Sequence, residues 1–190
     1  MSPPVIGCED GEREAVLEAA KLMLAAARTA PKTAGVDDIM TLIVYGKEKD
    51  VIADKMEEIA DERKIEGFRR DAKNVRDSHA VVLIAVRGDR SIGLDCGGCG
   101  YEGCREFDKA SKKKGKDFSG PTCVFKALDL GIALGSAAKT ASMLDIDNRI
   151  MYRIGTAASK LKLLPQATII MGIPVSVRGK NIYFDRPAKV

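Results

Sequence analysis

The sequence predicts one globular domain of mixed helix and strand, and three observations carry that reading. Two runs, HAVVLIAV at 79–86 and ATIIMGI at 167–173, are almost continuously apolar and rich in β-branched residues, as strands covered on both faces must be. Around them, apolar residues recur at helical spacing within charged segments. The 190 residues are 45% hydrophobic and 31% charged, a balance that suits a buried core under a solvated surface. No repeat or low-complexity linker divides the chain, so residues 1–190 are expected to form one domain.

The elements follow in chain order. Residues 12–28 keep Ala15, Val16, Ala19, Ala20, Leu22, Met23 and Ala26 on one side of a run of strong helix formers, and Pro31 limits that helix. MTLIVY at 40–45 reads as a short strand ending at Gly46. Residues 50–65 return to helical spacing through Ile52, Met56, Ile59 and Ala60, and the nine basic and nine acidic residues of 47–76 mark a solvated helix face. After the 79–86 strand comes a glycine- and cysteine-rich loop, then the lysine-rich SKKKGKD. A long helix is expected to begin near Pro121. Asp147 or Asn148 is placed to cap a further helix over 149–164, and Asp145 to turn the chain ahead of it. The 167–173 strand leads into an extended tail, PVSVRGKNIYFDRP, whose Ile182, Tyr183 and Phe184 need apolar partners.

Several function classes are disfavoured. No apolar run approaches the roughly 18 residues of a membrane helix, and the N-terminus lacks a basic start followed by an apolar stretch. The default compartment is therefore the cytoplasm. A net charge of +4 with five Phe, four Tyr and no Trp offers little for nucleic acid.

Four of the five cysteines form a constellation, Cys96-Gly-Gly-Cys99-Gly-Tyr-Glu-Gly-Cys104 and then Cys123. In a reducing compartment such spacing suits thiolates on a metal better than disulfides. Four thiolates would hold a [4Fe-4S] cluster, and the interspersed glycines would let backbone amides approach its sulfides. Structural zinc matches the same ligand count, and a thiol relay is a third reading. Cys8 is left over as a lone thiol.

At these residues the chain resembles a family of uncharacterised proteins that contain a ferredoxin domain, mostly from anaerobic archaea and bacteria. The matching stretches are AARTAPKTAGVDD at 26–38, LDCGGCGYEGCREF at 94–107, GPTCVFKALDLGIALGSAAKTASMLDIDNRIMYRIGTAA at 120–158 and MGIPVSVRGKNIYFDR at 171–186. The cysteine segment is also similar to the four-iron domain of corrinoid iron-sulfur proteins. That likeness implies Cys96, Cys99, Cys104 and Cys123 as ligands, with 94–123 as an embedded iron-sulfur segment.

The surrounding chain resembles a reduced nitroreductase. This implies an α+β fold of three layers, a mainly antiparallel sheet flanked by helices, here with a cysteine-rich loop inserted. It also implies a homodimer that binds FMN between subunits. The family's Arg-x-Ser-x-Arg segment is missing, and its flavin-pocket segment is matched only by Ala30-Pro31-Lys32-Thr33-Ala34-Gly35 followed by Asp37-Asp38. Arg28, Lys32 and Thr33 are the candidate contacts to the flavin phosphate.

The expected function is that of an iron-sulfur redox protein or oxidoreductase, with [4Fe-4S] electron transfer coupled to FMN. The alternative is a non-enzymatic structural or interaction protein whose cysteine loop is zinc-bound or metal-free. No catalytic residue stands out. His79, the one histidine, reads as a boundary or core residue rather than a proton carrier. Arg105, Lys109, Lys112, Lys113, Lys114 and Lys116 form a basic surface that would either solvate the chain or steer an acidic electron-transfer partner. Gly131 and Gly135 suggest close helix packing.

Overall fold

The computed structural model describes residues 5–184, so the last residues of the expected tail, 185–187, lie outside what is described. At its centre is β2 (Ala80–Val86), the continuous apolar run, with every residue buried. It pairs antiparallel on one side with β1 (Ile39–Tyr45) and on the other with β6 (Ile169–Ser176). The two-residue β5 (Asp147–Asn148) completes a four-stranded antiparallel sheet of order β1-β2-β6-β5.

Because side chains alternate along a strand, β2 feeds two cores at once. Val82, Ile84 and Val86 point to one face and meet Val16, Ala20 and Met23 of α1 (Cys8–Thr29) and Leu130, Ala133 and Ala137 of α5 (Val124–Met143). Val81, Leu83 and Ala85 point to the other. There they meet α2 (Lys47–Arg63), α3 (Glu66–Asp77) and α6 (Tyr152–Lys160) through Ile52, Met56, Phe68 and Ile154. The expected α+β arrangement of three layers is thus observed.

The boundary between α2 and α3 was not expected. Lys64 adopts a left-handed conformation (φ 56°), and both it and Ile65 bond back to Ala60, which ends α2 two residues short of the predicted limit and starts a separate helix. Only Phe68, Ala72 and Val75 give α3 an apolar stripe among eight polar neighbours and a glycine, so its charge pattern read as surface. Asp147 and Asn148, expected as helix caps, instead pair with Ser176 and Val175, and the last helix begins later, at Tyr152.

Two glycines set the fit of α6 on β6. A Cβ on Gly155 would collide with the backbone carbonyl of Ile170, and one on Gly172 would collide with the side chain of Ile154. Helix and strand therefore interlock at van der Waals distance over a pair of notches.

Beyond β2 lie α4 (Cys104–Lys109) and a two-stranded ribbon, β3 (Lys113–Lys114) with β4 (Ser119–Gly120). The ribbon is anchored by Asp117, whose carboxylate accepts from Arg63 Nη1 at 2.6 Å and from the Tyr152 hydroxyl. Phe118 meets the Tyr152 ring edge to face. Among the described residues, no helix is long and apolar enough to cross a membrane.

Candidate functional site

The residues singled out from sequence gather at one end of the sheet. Ile39 opens β1 opposite Val86, which closes β2 and stands opposite Ile169. Around that end, Arg87 N–H bonds the Asp38 carbonyl at 3.1 Å, Cys123 N–H bonds the Gly88 carbonyl at 2.9 Å, and Ser119 N–H bonds the Thr168 carbonyl at 3.0 Å. Gly88 is required there, because a Cβ would press on Thr122 and on the Thr168 hydroxyl. The segment before β1, the cysteine loop, the lysine ribbon and the start of α5 thus meet. His79 does not join them, since it precedes β2 at the opposite end.

The thiols do not assemble a metal site. Among the described residues, no group of three or more His, Cys, Asp or Glu side chains is placed to hold a metal ion. Cys104 is engaged locally: its sulfur accepts the Asp95 N–H at 3.3 Å, and its own N–H donates to Asp95 Oδ1 at 2.7 Å. Cys123 is 5% exposed, at the cap of α5, while Cys96 is exposed in the loop. These local bonds and unlike environments replace the convergent tetrahedron that Cys96, Cys99, Cys104 and Cys123 were expected to make. The [4Fe-4S] cluster, the zinc alternative and the four-iron-domain likeness are corrected accordingly. The iron-sulfur redox function built on them is corrected too.

Arg28, Lys32 and Thr33 lie together at the end of α1 and are engaged by their own chain. Arg28 Nη1 donates to the Asp37 carboxylate and, at 3.0 Å, to the Ile39 carbonyl. Burial opposes ionisation of Asp37, but the Arg28 guanidinium and the Ile39 N–H outweigh it and hold its carboxyl below the usual range. The Lys32 ammonium caps α1 through the carbonyls of Ala27, Arg28 and Ala30. Thr33 donates its N–H at 2.9 Å and its hydroxyl at 2.8 Å to Asp129 Oδ1. Asp129 is 2% exposed, and its other oxygen has no hydrogen-bond partner among the described residues. One helical turn earlier, Lys126, 1% exposed, pairs with Asp38 at 2.6 Å.

The open space at this end of the sheet is a cleft of two lobes on either side of the ribbon. One lobe, about 710 Å³, is walled by Tyr101, Phe118, Pro121 and Ile169. The other, about 370 Å³, is lined by Arg87, Lys112, Lys113 and Lys114, with Asp89 as its one acidic residue. The lobes share Lys113, Ser119, Gly120 and Pro121. Asp89 Oδ1 stands 3.7 Å from Arg87 Nε, and Lys112 is drawn back over the Phe107 ring, which leaves Lys113 and Lys114 exposed at the mouth. The cleft can thus take a flat apolar body in one lobe and an anionic group in the other. Sequence reasoning noted the lysines as surface charge. It missed Arg87 and Tyr101 because only the tertiary fold brings them beside the ribbon, and Phe118 because nothing in the sequence marks the hairpin that carries it.

Comparison with known proteins adds three findings. Residues 119–186 match a family described as "Uncharacterized protein containing a ferredoxin domain (DUF2148)"; that stretch includes Cys123 but none of Cys96, Cys99 and Cys104. An uncharacterized protein of Archaeoglobus fulgidus is 51% identical over 181 residues, which cover 95% of this chain and 97% of that protein. Among solved structures, a Lactococcus lactis nitroreductase in complex with nicotinic acid aligns with TM-score 0.57 and 16% identity over 93% of this chain and 82% of its own. An oxidoreductase containing FMN aligns with TM-score 0.55 and 16% identity over 86% and 67%. An FMN-dependent nitroreductase of Clostridium difficile aligns with TM-score 0.52 and 14% identity over 86% and 76%. At such identities the likeness shows the fold: α+β and nitroreductase-like, an antiparallel sheet between helices.

Proposed function

Because this chain belongs to the family of the uncharacterized Archaeoglobus fulgidus protein and has a nitroreductase-like fold, we propose that it is an FMN-dependent oxidoreductase acting in the cytoplasm. The observation that carries the proposal is the two-lobed cleft, because its apolar and basic halves match the two halves of FMN. Bound there, FMN would supply hydride and single-electron chemistry. Tyr101, Phe118, Pro121 and Ile169 would flank the ring system and exclude water from it. Lys113, Lys114 and Arg87 would neutralise the phosphate. Arg28, Lys32 and Thr33 are the competing phosphate contacts, but their donors already serve Asp37, backbone carbonyls and Asp129, and the uncompensated Asp129 oxygen would repel an anion.

Titration of the full chain with FMN, followed by quenching of flavin fluorescence, tests this reading. Saturable binding that weakens about tenfold or more in K113E/K114E and little in R28A is expected. The reverse pattern moves the phosphate to Arg28, Lys32 and Thr33, and no saturable binding to the wild-type chain overturns the proposal.

Two partners fit the same reading. Leu128, Gly131, Ile132 and Gly135 form an exposed face of α5, and a Cβ at either glycine would meet nothing, so a second copy could approach closely to make a homodimer. Sedimentation should give a dimer for the wild type and a monomer for I132E. The lysines at 109–116 would attract an acidic electron-transfer protein, with an on-rate that falls as salt rises.

A further inference from the structure

At the end of the sheet opposite the cleft, where Tyr45 of β1 pairs with Ala80 of β2, lies a separate cavity of about 430 Å³. Arg13 and Leu17 of α1, Tyr45, Lys49 of α2, and Ser78 and His79 ahead of β2 line it, and none of its lining residues is acidic. The floor is fixed. Ser78 donates to the Asn74 carbonyl and bonds the buried Tyr183 hydroxyl at 2.9 Å. His79 Nδ1 accepts the Val177 N–H at 3.4 Å, so the neutral ring keeps its proton on Nε2, as a donor.

The charges favour a single negative group over a double one. Lys49, 8% exposed, already donates to Asp50 at 2.8 Å and to the Arg76 carbonyl at 2.7 Å. Arg13 is held only loosely, 3.9 Å from Asp10 at the surface, and is free to turn inward. The charged groups that face His79 are Glu12 and Arg13 from α1, Lys49 from α2 and Arg178 beyond β6. Burial, then Arg178, with Arg13 and Lys49 adding and Glu12 opposing, holds its pKa below the usual value. A bound anion would offset those cations. Leu17 and the Tyr45 ring supply an apolar wall beside them.

We propose that this cavity is a second binding site, which takes a small monocarboxylate with an apolar body, the carboxylate on Arg13 and His79 and the body against Leu17 and Tyr45. The site is independent of the flavin cleft.

The test uses the full chain and its only histidine, whose ring signals in a proton NMR spectrum need no assignment. Benzoate is titrated near pH 6, with neutral benzamide as the control. The expected result is a saturable movement of the His79 signals with benzoate, an upward shift of the His79 pKa at saturation, and about tenfold weaker binding in R13A. No saturable movement, an equal response to benzamide, or unchanged binding in R13A would overturn the proposal.

Discussion

Tyr183 shows how one buried side chain sets a pH limit. Burial pushes its phenol up to about 12, partly offset by the neighbouring Ser176 and Ser78 hydroxyls. The folded state therefore holds the proton more tightly than the unfolded chain, whose phenol titrates near 10. Stability is complete below about pH 10 and declines by about 2–3 kcal/mol as pH rises through 12. In urea denaturation at pH 9 and pH 12, Y183F should lose most of that alkaline drop. Asp117 works in the opposite direction. Burial raises its pKa, but bonds from Tyr152 and Arg63 outweigh that and leave it lowered. Its contribution is present above about pH 4 and lost as pH falls through the depressed value. D117N should flatten the acid limb of the stability profile, and by loosening the ribbon it should also weaken the FMN binding proposed above. Neither role was legible in the sequence, because the partners lie 54 and 35 residues away from Asp117 and 105 residues away from Tyr183.

Among the elements, the segment before β1 is held to α5 by charge rather than by apolar contact. Lys126 is sealed from water and its partner Asp38 is 19% exposed, so removing Asp38 leaves the buried ammonium poorly solvated, and removing Lys126 strips a half-buried carboxylate of its counter-charge. K126M should cost about 2–4 kcal/mol in urea denaturation, and the double variant K126M/D38N should recover part of it. An unchanged midpoint in K126M would show that the pair is not a clamp. Elements with strong one-dimensional patterns were legible: β2 from its unbroken apolar run, and α1 from its alanine-rich face. The α2–α3 break was not, since it rests on Lys64 taking a left-handed conformation usually reserved for glycine. Cysteine spacing misled for a related reason. Spacing states which thiols are near in sequence, but the bonds between Asp95 and Cys104 decide where one of them is held.

Across the whole molecule, both cores hang on one strand. Leu83 belongs to one and Ile84 to the other, and both are fully buried. L83A and I84A should therefore each lower the same single thermal transition, by about 2–5 kcal/mol, although they empty opposite faces of the sheet. Two separable transitions in either variant would mean that the faces fold independently. The nitroreductase-like layering was legible through resemblance, whereas the cleft was not, because Arg87, Tyr101, Phe118 and the lysines become neighbours only after the ribbon folds back on the sheet. The interlock of α6 with β6 also bears on how this sequence can drift. At Gly172 the obstacle is the Ile154 side chain, whose Cβ would stand 2.5 Å from the new one, so G172A should be tolerated only once I154G has made room, and the two positions should change as a pair. At Gly155 the obstacle is a main-chain carbonyl that every amino acid carries, so no second substitution at residue 170 can compensate and that position has no accessible neighbour in sequence space.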